Sequence, residues 1–283
     1  MGSVRAIRRN IERNSSDKTS GGTRGNVGTK LRGIRPLASV ETASEAFING
    51  WLQCDTSNKQ VWIGIGTNDS MPGNVNAASG AAWGNMIGGY NGGLRGIYAG
   101  TLVNVRGADD MELSWANFST ISEWVGGSNP GSEGGSPGSG GYQSTAKESS
   151  GKGVPYFDFG DAAGCSSRCN DNYTWPQVYD LFAGFYDAVP MPEDYCHNSS
   201  DALNYASVEN HASEYKTAFF TTSYRPKNIP WSTVMATHEP LSNCSPTGYT
   251  LTPQASWSDL TTALQTSTPY PDYSIASTYI TSM

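Results

Sequence analysis

Short apolar runs alternate along this chain with stretches of helical period, and that alternation restricts the fold more than any other feature. Val61-Trp-Ile-Gly-Ile-Gly66 is a continuous apolar run between polar turns, as expected of a strand buried on both faces of a parallel sheet. Strand-like runs recur at Leu102-Val-Asn-Val105, Val154-Pro-Tyr-Phe-Asp-Phe159, Ala188-Val-Pro-Met191, Thr217–Thr222 and Trp231–Thr237. Helical text lies between them. Thr42-Ala-Ser-Glu45 reads as a capping box before Phe47, Ile48, Trp51 and Leu52, which recur at helical spacing up to Cys54. An Ala/Gly-rich helix from Ala77 to Met86 would pack closely through small residues. A capped helix is expected around Ile121 and Trp124, and Thr174-Trp-Pro-Gln177 is a second capping box. Two further helices are expected, over Asp201 to Glu214 and after Thr252-Pro253.

Strands alternating with helices argue for parallel βαβ units. The fold class is therefore α/β, with a (β/α)8-like TIM barrel as the expected architecture. About six units are legible in the pattern. The text before residue 36 carries no barrel-strand character, so the barrel is expected to be incomplete at its N-terminus. Residues 1–35 read as a basic, disordered tail or a mis-called upstream start, and 36–283 as a single barrel domain. A Gly/Ser-rich flexible loop is expected at 126–152, where periodicity is lost.

Charge and composition narrow the partners. Nine of the eighteen Lys and Arg fall in residues 1–35, against only Glu12 and Asp17 there. The remainder is strongly acidic, which disfavours nucleic acid because phosphate neutralisation dominates that affinity. No stretch approaches the roughly 18 apolar residues of a membrane span. No apolar core of about 7–15 residues follows the N-terminal charges, so residues 1–35 are not expected to act as a signal peptide. Few charges and abundant Gly and Ser nevertheless suit a secreted or extracellular protein, expected to be monomeric. Of the five cysteines, Cys165 and Cys169 are four apart. They suit a disulfide clamping a loop, or, with Cys196 or His197, a zinc site for which the second ligand pair is lacking.

In an α/β barrel, working side chains project from the C-terminal strand ends. That rule selects Asn68 and Asp69, Asp110 and Glu112, Asp158 and Asp161, Glu193 and Asp194, and His238 and Glu239. Asp110-x-Glu112 matters most, since a strand period of two points both carboxylates to one side. Glycoside cleavage needs a protonated carboxyl at the leaving oxygen and a second carboxylate as nucleophile or base. The bland alternative is a pair of solvated loop acids. Trp62, Trp115, Trp124, Trp175, Trp231 and Tyr156 could stack on sugar rings, although most large aromatics build cores. His197 and His211 have no ligand-spaced partner, and no nucleotide-binding glycine motif follows a strand.

Gly64-Ile-Gly-Thr-Asn68, Gly107-Ala-Asp-Asp-Met-Glu112, Tyr156-Phe-Asp-Phe-Gly-Asp-Ala-Ala-Gly-Cys165 and Pro190-Met-Pro-Glu-Asp-Tyr195 occur in that order. Together they resemble a family of poorly characterised exported proteins, mainly bacterial, that look like glycoside-hydrolase-type TIM barrels. The likeness spans roughly residues 40–275. It implies a barrel with an Asp-x-Glu at a strand end, carried by Asp110 and Glu112, and a Pro-Glu-x-Tyr element on Pro192, Glu193 and Tyr195.

The expected function is a glycoside hydrolase acting on a polysaccharide or cell-wall glycan. Glu112 would be the general acid, Asp110 would orient it, and Glu193 would be the second carboxylate. Asn68, Asp158, Tyr156, Tyr195 and Trp115 are the expected substrate contacts; no cofactor and no metal is called for. The rival is a non-catalytic extracellular carbohydrate-binding or structural barrel, which would bind glycan without cleaving it.

Overall fold

A computed structural model describes residues 3–7, 37–54, 61–68, 75–93, 103–113, 116–126, 140–150, 154–162, 164–165, 169–170, 173–184, 188–196, 200–214, 229, 231, 234–237, 251–267 and 279–282. Strands and helices alternate as expected. The strands are β1 (Ser3–Ile7), β2 (Val61–Asn68), β3 (Val103–Asp110), β4 (Tyr156–Asp158), β5 (Ala188–Pro190), β6 (Val234–Thr237) and β7 (Tyr279–Ser282). The helices are α1 (Leu37–Cys54), α2 (Ala77–Gly93), α3 (Phe118–Gly126), α4 (Tyr142–Ser150), α5 (Trp175–Tyr179, continued by a π turn over Asp180–Gly184), α6 (Asp201–Glu214) and α7 (Pro253–Ser267). No helix among the described residues is long and apolar enough to cross a membrane.

β1 to β5 form one parallel sheet in strict chain order, and β6 pairs with β7, also in parallel. Parallel crossovers are right-handed, so an unreversed strand order stacks successive helices on the same face and curls the sheet. β7 lies beside β1, bringing the two sheets together at that side. The described residues hold seven strands in a five-plus-two arrangement, an α/β fold with parallel sheets in which a closed eight-strand ring is not shown. The expected strand Thr217–Thr222 lies outside the described residues. β1 falls within the segment read as a disordered tail and forms an edge strand instead, register-matched to β2 from Ser3↔Val61 to Ile7↔Ile65. Its apolar Val4, Ala6 and Ile7 are interrupted by Arg5, which hid the strand in a basic context.

Strand periodicity divides the sheet into two faces. Ile63, Ile65, Val103, Val105 and Tyr156 join the large core beneath the helices. Ala108, Phe157, Phe159 and Met191 form a second, smaller core on the opposite face, with Trp62, Val189 and Tyr195 against it. The guanidinium of Arg106 lies 3.3 Å from the centre of the Trp62 ring on that inner face.

Two local expectations fail for identifiable reasons. Thr42 does not cap α1, which begins five residues earlier; its hydroxyl donates to the Ala38 carbonyl at 2.9 Å, inside the helix. The 126–152 loop is also too long, because residues 142–150 form α4. Its weak helical propensity is overridden by burial. Tyr142 is fully buried and stacks on Trp124 with ring centres 5.2 Å apart. Its hydroxyl accepts from the Gly107 amide at 2.9 Å. α2 meets α4 through glycine, as a Cβ on Gly84 would stand 2.4 Å from the Tyr142 carbonyl oxygen. The other caps form as expected. Thr174 and Gln177 exchange reciprocal bonds at 2.9 and 3.4 Å, and the Thr252 hydroxyl accepts from the Ala255 amide at 3.2 Å.

Candidate active site

Parallel register brings the C-terminal strand ends level. Asn68 is paired with Asp110, while Thr67, Asp109, Asp158 and Pro190 form the neighbouring row. The ladder runs one step further, with Phe159 donating to the Asp109 carbonyl at 3.1 Å and Met191 to the Asp158 carbonyl at 2.7 Å. Inner-face parity on β3 runs through Ala108 and Asp110 to Glu112, while Met111 turns into the helix-side core. On β5 it runs through Val189 and Met191 to Glu193. The result is a three-carboxylate cluster. One oxygen each of Asp110, Glu112 and Glu193 lies within 4.8 Å of the others. Asp110 and Glu193 are buried and Glu112 is partly exposed.

Carboxylates this close raise one another's proton affinity, which favours a protonated member within the cluster. Oxygen donors of this kind would also suit a hard divalent cation such as Mg2+ or Ca2+.

Glu193 is held on both its side chain and its backbone. The Tyr195 hydroxyl donates to Glu193 Oε1 in a short hydrogen bond. The Glu193 amide donates to the hydroxyl of Tyr205, on α6, at 3.0 Å. That same hydroxyl donates to the Gly160 carbonyl at 2.9 Å. α7 fastens the loop from behind, through Ser256 Oγ donating to the Asp194 carbonyl at 2.6 Å. Just before α7, the Leu251 amide donates to the Tyr195 carbonyl at 2.8 Å.

Two further acids lie close in sequence to the C-terminal ends of β4 and β5. Asp161 is pushed up to about 7, by burial first and then by the charges of Asp201 and Asp110. Asp194 is fully buried and pushed up to about 8, by burial and then by Asp259 and Asp201. Both carboxyl oxygens of Asp194 lack a hydrogen-bond partner, which accords with a neutral acid near pH 7.

The other expected contacts divide. Tyr195 reaches the cluster, through Glu193. Asn68 ends β2 level with Asp110, and Trp115 lies outside the described residues, as do Asp69, His197, His238 and Glu239. Tyr156 is a correction. It is fully buried on the helix side, edge-on to Trp124 at 6.1 Å and to Tyr142 at 5.7 Å, and its hydroxyl donates to the Leu181 carbonyl at 3.3 Å. Asp158 shares that parity. Fully buried, it accepts from the Gly160 amide at 3.1 Å through Oδ1 and faces away from the inner cluster. Phe157 between them takes the inner position, so its neighbours must face outward. Trp124 and Trp231 are core residues, and Trp175 stacks on His211 at 3.4 Å. Cys165 and Cys169 are joined by a disulfide, and Cys196 is disulfide-bonded as well. The zinc alternative therefore has no free thiolate at these positions.

Tyr205 and Gly160 were not singled out by sequence reasoning. Tyr205 lies on the apolar stripe of α6 with Ala202, Ala206 and Val208, which announces burial but says nothing of what its hydroxyl meets. No protein-family model, curated protein or solved structure matches the chain.

Proposed function

We propose that this protein is a carbohydrate-directed hydrolase on a (β/α)8-like barrel, acting outside the cell, with Glu112 and Glu193 on either side of the scissile glycosidic bond. The observation that carries this reading is the approach of the Asp110, Glu112 and Glu193 oxygens to within 4.8 Å. Retaining glycosidases hold their two carboxyl groups about 5–5.5 Å apart, whereas inverting enzymes need about 6.5–9.5 Å to admit a water. The short spacing favours the retaining course.

In that course Glu112, protonated, gives its proton to the leaving oxygen as the glycosidic bond breaks. A Glu193 carboxylate oxygen bonds to the anomeric carbon. Glu112, now anionic, then takes a proton from water; the resulting hydroxide displaces Glu193, returning both side chains to their starting states. Asp110 lies beside Glu112 on the same strand face, where its charge favours the protonated form of its neighbour. Tyr195 fixes one Glu193 oxygen and so orients the attacking carboxylate. The disulfides suit an oxidising compartment.

The test is release of reducing sugar from a panel of neutral, acidic and amino polysaccharides. Glu112→Gln and Glu193→Gln should each abolish release while leaving the melting temperature within a few degrees. Unchanged turnover in both variants sinks the assignment. Glycan binding without any cleavage by the wild type favours the non-catalytic barrel.

A further inference from the structure

We propose that Tyr205 is a positioning residue that sets the gap between Glu193 and the Asp110–Glu112 pair; the inference rests on the hydrolase reading of that site. The two sides of the cluster come from strands that are not neighbours, since β4 lies between β3 and β5. Beyond the last ladder bonds, from Phe159 and Met191, something must cross the end of β4 to hold the two sides in place.

A continuous chain of contacts does so. The Tyr205 hydroxyl accepts from the Glu193 amide at 3.0 Å and donates to the Gly160 carbonyl at 2.9 Å. Gly160 in turn lies directly on the backbone of Met111, where a Cβ would meet the carbonyl oxygen at 2.0 Å and the amide nitrogen at 2.7 Å. Met111 is the residue between Asp110 and Glu112. One hydroxyl thus ties the backbone of one carboxylate to the backbone bearing the other two, with a single glycine between.

The tie is rigid for reasons independent of the site. Tyr205 is fully buried, edge-on to Phe182 at 5.6 Å and to Trp231 at 5.7 Å. Burial, with the charges of Asp161, Glu193 and Asp201, holds its hydroxyl well above the usual tyrosine range. It therefore keeps the proton it donates to Gly160. A hydroxyl that both accepts and donates fixes two backbones at once, which a phenylalanine of the same shape cannot do.

Tyr205→Phe in the full chain tests this, because the ring and its packing are kept. Amide hydrogen exchange at Glu193 should quicken by about tenfold, the loss of one hydrogen bond, while amides of β3 and α2 keep their rates. A purely structural role would instead quicken exchange across the fold. With a polysaccharide that the wild type cleaves, kcat should fall by about 10- to 100-fold with KM unchanged, the effect of a small misplacement of reacting groups. Unchanged kcat overturns the proposal even if exchange quickens. Should the wild type cleave no polysaccharide, the hydrolase reading fails by itself. The exchange rate then decides alone whether Tyr205 holds Glu193: a selective increase supports the tie, and an unchanged rate overturns it. Should the variant not fold, the wild-type Glu193 amide is measured directly. Protection of at least about tenfold over an open chain is expected, and none would overturn the tie.

Discussion

Gly160 rests on Met111 so closely that a Cβ on Gly160 would stand 2.0 Å from the Met111 carbonyl oxygen. Backbone meets backbone there, and no flexible side chain can yield. Gly160→Ala should therefore push β3 and the post-β4 loop apart. Overpacking of this kind costs about 1–3 kcal/mol, which for a domain of this size lowers the melting temperature by roughly 2–4 °C per kcal/mol. Calorimetry of the variant checks it, and an unchanged melting temperature would mean that the loop has room to move.

Tyr195 and Glu193 offer a gentler perturbation. Tyr195→Phe removes the hydroxyl that donates to Glu193 Oε1 and leaves the ring against the inner core. Hydrogen bonds to charged groups contribute about 1.5–3 kcal/mol, so turnover of a responsive glycan should fall by roughly 10- to 100-fold. Steady-state rates measured beside the wild type decide the point; equal kcat values would remove Tyr195 from the machinery.

Asp194 makes stability depend on pH in a stated direction. Burial, then the Asp259 and Asp201 charges, push its carboxyl up to about 8, against about 3.9 in an unfolded chain. Between those values the folded protein holds a proton that the unfolded chain has lost. This group therefore favours folding most below about pH 4, and its contribution declines by about 1.4 kcal/mol per pH unit up to about pH 8. Asp194→Asn, which keeps a neutral side chain at every pH, should flatten that decline and be the more stable protein at pH 8. Urea midpoints of both proteins at pH 5 and pH 8 measure it. Identical pH slopes would contradict a neutral buried Asp194.

Tyr142 anchors α4 through its ring and its hydroxyl. Tyr142→Ala removes a fully buried ring from Trp124 and Tyr156 and should cost about 3–5 kcal/mol. Tyr142→Phe keeps the ring but leaves the Gly107 amide without its 2.9 Å partner, a loss of about 1–3 kcal/mol. Denaturant unfolding of the pair separates the two contributions. Equal losses would mean that the hydroxyl carries the anchoring alone.

Much of this protein was legible locally. The apolar runs at 61–66 and 102–105 became β2 and β3, and Thr174 and Gln177 cap each other as their spacing implied. Asp110 and Glu112 share a face because a strand repeats every two residues, a property of the chain itself. The same rule, carried from the inner Phe157, would have turned Tyr156 and Asp158 toward the helices; a carboxylate on one side and two phenylalanines on the other suggested the opposite orientation, with Asp158 at the site.

Tertiary structure decided what depends on distance through space. α4 forms in Gly/Ser-rich text because Tyr142 finds Trp124, and burial of that ring outweighs a propensity too weak to be seen in the sequence. Glu193 reaches Asp110 and Glu112 across an intervening strand, and Tyr205 and Gly160 bridge that separation by contacts between residues 45 apart. Periodicity fixes the direction of a side chain relative to its own strand; only the packing of strands and helices fixes the distance between side chains on different ones.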